Sequence, residues 1–295
     1  MRPKTPHPFV VPPAAYTRDV HDLVRRALAE DIGTGDITTK ALKLPRERVV
    51  SHLQAHEDGV LAGVDAFEAA FRHLDPRVEF FWYWPEGHDF QASDMVVNVR
   101  GQASALLSAE RTAINFLAHL SGVATAARRM VVRIPPRTAR LLDTRKTTPG
   151  WRLLEKHAAA VGGALNHRLG LYDAAMIKGN HVVAAQGLTV ALSRARKTRR
   201  PLICEAHTYK QITTALDAGV TWLLLDNYTP AHLKEAVRFI RRWEREHGTR
   251  ITLEASGNVT MRNVAAFART GVDYISSGSI THSAPAIDFS LTWFR

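Results

Sequence analysis

Residues 201–227 read PLICEAHTYKQITTALDAGVTWLLLDN. Leu202–Glu205 is an apolar run of strand length, and Trp222–Asp226 is a second. Between them a helical pattern covers 208–218, with Thr208 standing where an N-cap belongs. Strand, helix, strand in that order predicts a parallel pair joined by a crossover helix. Two acids, Glu205 and Asp226, close the two runs. Cys204, the chain's single cysteine, sits inside the first run and is expected to point into the strand layer.

The same unit recurs outward from this stretch. Strands are expected at Ala139–Asp143, Ala174–Lys178, Ile251–Glu254 and Tyr274–Ser276, and helices at 150–160, 182–195, 230–246 and 260–270. Thr229 and Thr260 occupy N-cap places. The alternation predicts a parallel sheet. An open doubly wound sheet lacks its Gly-rich first turn here, which favours a closed α/β barrel, incomplete by strand count. The first hundred residues are mixed. A helix is expected over 17–30 with Thr17 as N-cap, strands at Val49–Ala55, Val78–Trp84 and Met95–Val99, and helices at Val64–Leu74 and 103–120. Glu30, Asp31 and Asp36 around Gly33 and Gly35 lack calcium-loop spacing and are read as an ordinary turn. The aromatic run Phe80–Trp84 is read as sheet packing or a subunit contact. Arg111, flanked by Leu107 and Ile114, reads by itself as a snorkelling surface arginine.

The composition is that of an ordinary soluble globular protein, 45% hydrophobic and 23% charged over 295 residues. No run approaches the ~18 apolar residues of a membrane helix. The proline-rich start, Met1–Ala15, has no secretory apolar stretch and reads as a loose arm. One cysteine excludes an internal disulfide and points to a reducing cytoplasm. The formal charge of +11 permits nucleic acid, an acidic membrane face or small anionic substrates. The basic runs Arg194–Arg200 and Arg238–Arg245 lack interleaved aromatics and are read as solvated surface.

In α/β barrels the active site lies at the carboxyl ends of the strands. Those ends carry Arg145 and Lys146, then Lys178, Glu205, Asp226, Ser256-Gly257-Asn258 and Ser277-Gly278-Ser279. His167 and Arg168 follow a Gly162-Gly163 break, and Pro149-Gly150 makes another. Five potential cations gathered this way need an anionic ligand. Glu205 and Asp226 are hard oxygen donors that suit Mg²⁺ shared with phosphates, or ribose hydroxyls. Main-chain N–H groups at the two Ser/Gly turns suit a phosphate. No nucleophile stands beside a base. The chemistry read from these residues is group transfer by positioning and electrostatics.

Three motifs in order, D-T-R-K-T-x-P-G (143–150), G-G-x-x-N-H-R-x-G-L-x-D (162–173) and I-K-x-N-H (177–181), resemble quinolinate phosphoribosyltransferase, the carboxylating nicotinate-nucleotide diphosphorylase. D-I-G-x-G-D-I-T-T (31–39), G-V-L-A-G (59–63), E-R-T-A-I-N-F-L-x-x-L-S-G-V-A-T (110–125), L-L-D-N (224–227), E-A-S-G-N-V (254–259) and S-G-S-I-T-H-S (277–283) extend it over most of the chain. The resemblance implies an N-terminal α/β sandwich domain over 1–111, to which 282–295 return, and an incomplete α/β barrel over 112–281. It implies conversion of quinolinate and phosphoribosyl pyrophosphate to nicotinate mononucleotide, pyrophosphate and CO₂, with Mg²⁺, in NAD synthesis. It further implies a homodimer, or a higher oligomer, with shared active sites. Neither nucleic acid nor a membrane is then expected as a partner.

By the same resemblance Arg145, His167, Arg168 and Lys178 hold the quinolinate carboxylates. Thr144 and Lys146 face the substrates, Lys146 toward phosphoribosyl pyrophosphate. Lys178 reaches both substrates. Glu205 and Asp226 meet Mg²⁺ and the ribose, and Ser256, Gly257, Asn258, Ser277, Gly278 and Ser279 cradle the 5′-phosphate. Arg111 is implied to reach the neighbour's site, which reverses its reading as a surface arginine. Four positions depart from the usual pattern. Ile203 stands where an acid is usual, Ala164 ends a glycine run, Gly179 replaces a common acid and Asn258 a common glycine. Ile203 bears on the metal and lysine-pairing network. Asn258 alters the phosphate turn, although Asn tolerates left-handed backbone. A molybdenum-uptake paralogue of the same fold is the alternative, and it lacks the lysine found here as Lys178. A basic nucleic-acid binder is the alternative from another class.

Overall fold

The computed structural model describes residues 9–44 and 47–293. In chain order the first half forms α1 (Pro13–Ile32), α2 (Ile37–Leu42), β1 (Arg48–Ala55), β2 (Gly59–Val60), α3 (Val64–Leu74), β3 (Glu79–Trp82), β4 (Asp89–Phe90), β5 (Met95–Gln102) and α4 (Ala103–Val131). There follow β6 (Arg140–Leu142), α5 (Arg152–Val161), β7 (Ala175–Ile177), α6 (Gly179–Ala184), α7 (Leu188–Arg196), β8 (Leu202–Ala206) and α8 (Tyr209–Asp217). The chain closes with β9 (Trp222–Asp226), α9 (Pro230–His247), β10 (Thr252–Ser256), α10 (Val264–Ala268), β11 (Tyr274–Ser276), α11 (Ser279–His282) and β12 (Phe289–Trp293).

Contacts group these elements into two units. One comprises Arg129–Lys146 and Ala164–Ser279 with Phe9 and Val10; the other comprises Val11–Arg128, Thr147–Gly163 and the segment from Ile280 onward. Residues 112–128 and 147–163, placed with the barrel by the expected boundary 112–281, group with the first-half elements. Side chains of α4 explain the first shift: Thr125 accepts the Val60 N–H at 2.8 Å and Ser121 the Ala62 N–H at 3.1 Å. Two His–carboxylate contacts explain the second, His119 to Glu155 at 2.8 Å and His157 to Glu86 at 3.0 Å.

In the N-terminal unit an antiparallel sheet runs β12-β1-β5-β3. The chain end therefore returns to the first sheet, with Leu291 opposite Leu53. Alternation explains the aromatic run, since successive strand residues face opposite sides. Phe80 and Trp82 pack edge-on to Phe67, while Phe81 is 56% exposed. α1 starts four residues before Thr17, because Pro13 is pre-organised for the first helical turn. The Thr17 hydroxyl instead donates back to the Pro13 carbonyl at 3.1 Å. Asp36 caps α2 by accepting the Thr39 N–H at 2.9 Å, the ordinary use of an acid in such a turn.

The second unit is a parallel sheet of order β6-β11-β10-β9-β8-β7. The first strand of this unit pairs with its last, β6 with β11, so the sheet curls round, yet β6 and β7 do not pair with each other. The far edge of β6 makes a single bridge, Leu142 to Leu165. Six strands in place of eight make an incomplete barrel. Thr208 and Thr229 cap α8 and α9, accepting N–H groups of Gln211 and His232. Thr260 does not cap: α10 starts after Asn263, whose side chain accepts the Thr260 N–H at 2.8 Å. The helix expected over 182–195 is two, broken where Gln186 and Gly187 take φ of 62° and 141°. The strand expected at Ala174–Lys178 is β7, Ala175–Ile177, and Gly179 begins α6. Inside the sheet lie Ala174, Met176, Ile203 and Leu224, with Phe9 seated among them. Within the stretch Met1–Ala15 expected as a loose arm, Phe9 is buried, 4% exposed, and α1 begins at Pro13; residues 1–8 lie outside the described residues.

Candidate active site

Asp143, directly after β6, is fully buried and organises the first two cationic segments. Its carboxylate accepts the His167 N–H at 2.6 Å and the Asn166 side-chain amide at 2.8 Å. Arg168 follows, 7% exposed, with its guanidinium donating to the Ala174 carbonyl at 2.9 Å. Burial and then the neighbouring Arg145 charge pull its pKa below the ordinary arginine value. Among the described residues the Arg145 Nε is buried without a hydrogen-bond partner. Two guanidinium groups placed this close cost free energy until an anion lies against them.

His167, 4% exposed, has both ring nitrogens engaged: Nδ1 accepts the Arg168 N–H at 2.6 Å and Nε2 lies 3.2 Å from Glu254. Lys178, just past β7, pairs with Glu205 near the end of β8. Burial opposes ionisation of Glu205. The Lys178 ammonium outweighs it, helped by the Gly179 N–H and His207, and holds the carboxyl below its usual range. Cys204 is buried and its thiol is pushed up to about 12, chiefly by burial, so it offers no nucleophile.

Glu205, His207 and Asp226 bring one ligand atom each within 4.8 Å of one another. His207 Nδ1 is 3.2 Å from the Asp226 carbonyl, and Asp226 accepts the Asn227 amide at 2.6 Å. Two carboxylates beside open space suit a hard divalent cation that also takes phosphate oxygens. Of the two, Asp226 borders a cavity of about 540 Å³, together with His207, Tyr209, Asn227 and His232.

The two Ser/Gly turns lie past β10 and β11. Gly257 has φ +89°, and a Cβ there would stand 2.2 Å from the Asn227 side-chain oxygen. Asn258 takes left-handed backbone at φ 52°, a conformation that glycine adopts freely and asparagine tolerates. Ser277 Oγ donates to the Val259 carbonyl at 3.1 Å and lies 2.8 Å from Ser279 Oγ, which ties the two turns together. Gly278 lies between these serines. Thr144 accepts the Lys146 N–H at 3.0 Å and shapes the loop that leaves Lys146 exposed. Arg111, on α4 in the other unit, is exposed.

Strand ends therefore gather the expected cations, carboxylates and Ser/Gly turns in one unit. Sequence reasoning missed Asp143 as an organiser, His207 beside the carboxylates, and Glu254, Trp222 and Phe9 around His167. His207 follows Glu205 by two residues, a usable signal; the rest depend on long-range packing.

Comparison with known proteins decides the family. Residues 36–121 match the model of the quinolinate phosphoribosyl transferase N-terminal domain, and 123–292 that of its C-terminal domain. The chain belongs to the quinolinate phosphoribosyltransferase family. It is similar to a probable carboxylating nicotinate-nucleotide pyrophosphorylase of Synechocystis, 42% identical over 91% of this chain and 90% of that protein. Among solved structures it resembles the nicotinate-nucleotide pyrophosphorylase of Francisella tularensis, TM-score 0.87 at 35% identity over 94% and 96% of the two chains. NadC of Streptococcus pyogenes gives TM-score 0.87 at 34% identity, over 98% and 100%. Membership makes this chain a carboxylating nicotinate-nucleotide diphosphorylase, a pentosyltransferase of NAD biosynthesis. No helix of the described residues is long and apolar enough to cross a membrane.

Proposed function

We propose that quinolinate binds with its carboxylates against Arg145, Arg168 and Lys178, beside His167, and that phosphoribosyl pyrophosphate lies over Glu205 and Asp226. The Arg145–Arg168 juxtaposition carries this reading, because it is a buried site for negative charge. Arginine meets a carboxylate through two parallel hydrogen bonds. Lys146, exposed beside Arg145, faces the pyrophosphate, with Thr144 shaping its loop. Ser256, Gly257, Asn258, Ser277, Gly278 and Ser279 hold the 5′-phosphate.

Mg²⁺ fits Glu205 and Asp226, with His207 alongside, and when bound neutralises charge on the departing pyrophosphate. As the C1–O bond to pyrophosphate breaks, the ribosyl centre becomes cationic and the pyridine nitrogen attacks it. Glu205 and Asp226 orient the ribose, and Lys178 touches both reactants. The pyridinium formed stabilises the carbanion left when the adjacent carboxylate departs as CO₂, and a proton from solvent then completes the C–H bond of nicotinate mononucleotide. Arg145 and Arg168 keep the ring in place throughout. The work of the residues is positioning and electrostatics.

The functional form is a homodimer in which Arg111, exposed on α4, serves the partner's site. The single unpaired cysteine accords with a cytoplasmic enzyme. The test is a division of labour. Arg168→Ala is expected to abolish quinolinate binding. Glu205→Ala and Asp226→Ala are expected to damage turnover while quinolinate binding survives. The reverse pattern overturns the assignment.

A further inference from the structure

We propose that His119 and Glu155 are positioning residues for the reaction: they anchor the far end of the loop that carries Lys146, and so set where that lysine meets phosphoribosyl pyrophosphate. The proposal rests on the reading of Lys146 as a residue that faces the pyrophosphate.

The loop is held at each end by a fully buried carboxylate. Asp143 holds its start, accepting from Asn166 and from the His167 N–H. Glu155, on α5, holds its end: one carboxylate oxygen accepts the Thr148 N–H at 3.1 Å, and the Thr148 hydroxyl adds a second contact. Thr148 opens a tight turn. Pro149 and Gly150 are its central residues, Gly150 at φ 86°, and the Trp151 N–H closes it on the Thr148 carbonyl at 3.0 Å. The Glu155 N–H then donates to the Trp151 carbonyl at 2.9 Å, so turn and helix form one piece with Thr148 fixed at its head. Lys146 stands two residues before that fixed point, and the chain passes from the barrel unit to the other unit between Lys146 and Thr147.

His119 completes the anchor. An ionised carboxylate only accepts, so His119 Nε2, 2.8 Å from the other Glu155 oxygen, donates to it. Burial opposes ionisation of Glu155; the His119 and Thr148 hydrogen bonds outweigh it and hold the carboxyl below its usual range. Trp151, stacked on Phe116 at 4.6 Å, meets the His119 imidazole edge-on at 5.2 Å and fixes the ring. Packing alone does not call for this arrangement. A fully buried carboxylate carries a desolvation penalty that an apolar side chain of similar size would not. What the acid adds is a fixed main-chain N–H on an exposed turn, close in the chain to a cation whose position the reaction uses. Both residues act on Lys146 through Thr148 and the main chain.

The experiment uses the full chain, with KM measured for each substrate at saturating levels of the other. His119→Leu and Glu155→Leu are expected to raise KM for phosphoribosyl pyrophosphate about tenfold and leave KM for quinolinate within about twofold. His119→Gln keeps a donor for the carboxylate. Glu155→Gln keeps an acceptor for Thr148, and the imidazole in its other tautomer accepts the carboxamide N–H. Both Gln variants are expected to restore the wild-type values. Trypsin, which cuts after Arg145 and Lys146, is expected to nick the loop faster in the folded Leu variants than in wild type. Folded Leu variants with unchanged KM for phosphoribosyl pyrophosphate, equal rises in KM for both substrates, or Gln variants no better than Leu overturn the proposal. If the Leu variants do not fold, hydrogen exchange of the wild-type protein decides. The Thr148 amide is expected to exchange slowly although its residue is exposed, and exchange at the rate of a free amide overturns the anchor. Should Lys146→Ala keep the wild-type KM for phosphoribosyl pyrophosphate, the reading of Lys146 fails, while trypsin and exchange still report the anchor.

Discussion

The Lys178 ammonium is paired with the Glu205 carboxylate across the ends of two neighbouring strands. The lysine side chain is 43% exposed, so the pair adds little to stability. Its value is placement. It holds a flexible cation over the mouth of β7 and β8, where it can be shared with a substrate anion. The missing acid at Ile203 does not weaken the pair, because position 203 faces the apolar seat of Phe9.

Glu205 titrates below its usual range, with burial opposing and Lys178 prevailing. A depressed folded pKa gives stability that is present above the unfolded value, about 4.3, and lost as pH falls through the folded one. The melting-temperature gap between wild type and Glu205→Gln is expected to stay constant from about pH 8 to about pH 5 and to narrow below about pH 4. A gap independent of pH down to acid unfolding contradicts the pair.

Gly257→Ala meets both strained backbone and the Asn227 side chain at 2.2 Å. The expected cost is about 1–3 kcal/mol in denaturant unfolding. KM for phosphoribosyl pyrophosphate is expected to rise while quinolinate affinity is retained. Asn258→Gly, at φ 52°, is expected to change neither. Loss of quinolinate affinity in Gly257→Ala contradicts a phosphate role for the turn.

Much of the barrel was legible because its strands are short apolar runs closed by polar residues. Trp222–Asp226 and Tyr274–Ser276 match the expected bounds. α4 outran its expected end at 120 because no proline stops it. Gly122, inside the helix, is there for packing: a Cβ would lie 2.0 Å from the Pro285 carbonyl. The strand-end cations and carboxylates were legible from the same rhythm. What escaped was set by contacts distant in sequence, such as Asp143 with His167 and Phe9 with Trp222. Thr17 misled because a proline four residues earlier starts the helix.

Arg111 and Lys178 are assigned to different subunits of one site. Homodimers of Arg111→Ala and of Lys178→Ala are each expected to be nearly inactive, since each leaves substrate charge unpaired. In a mixed dimer one site receives both substitutions and the other neither. Random reassortment of equal amounts makes about half the dimers mixed, so about a quarter of all sites are intact. Dissociating the two variants together, reassembling them and assaying nicotinate mononucleotide is expected to recover activity toward that fraction. No recovery, with mixed dimers verified by mass spectrometry, places Arg111 in its own subunit or on the bare surface.

The most direct measurement is turnover of quinolinate against nicotinate by the purified protein with phosphoribosyl pyrophosphate and Mg²⁺. The proposed set of Arg145, Arg168 and Lys178 is matched to a diacid, and losing one charge-assisted contact to a buried cation costs about 2–4 kcal/mol. The account predicts nicotinate mononucleotide, pyrophosphate and CO₂ in equal amounts from quinolinate. It predicts that nicotinate is disfavoured in kcat/KM by roughly 30- to 1,000-fold. Equal turnover of the two acids, or no product from quinolinate, would contradict it.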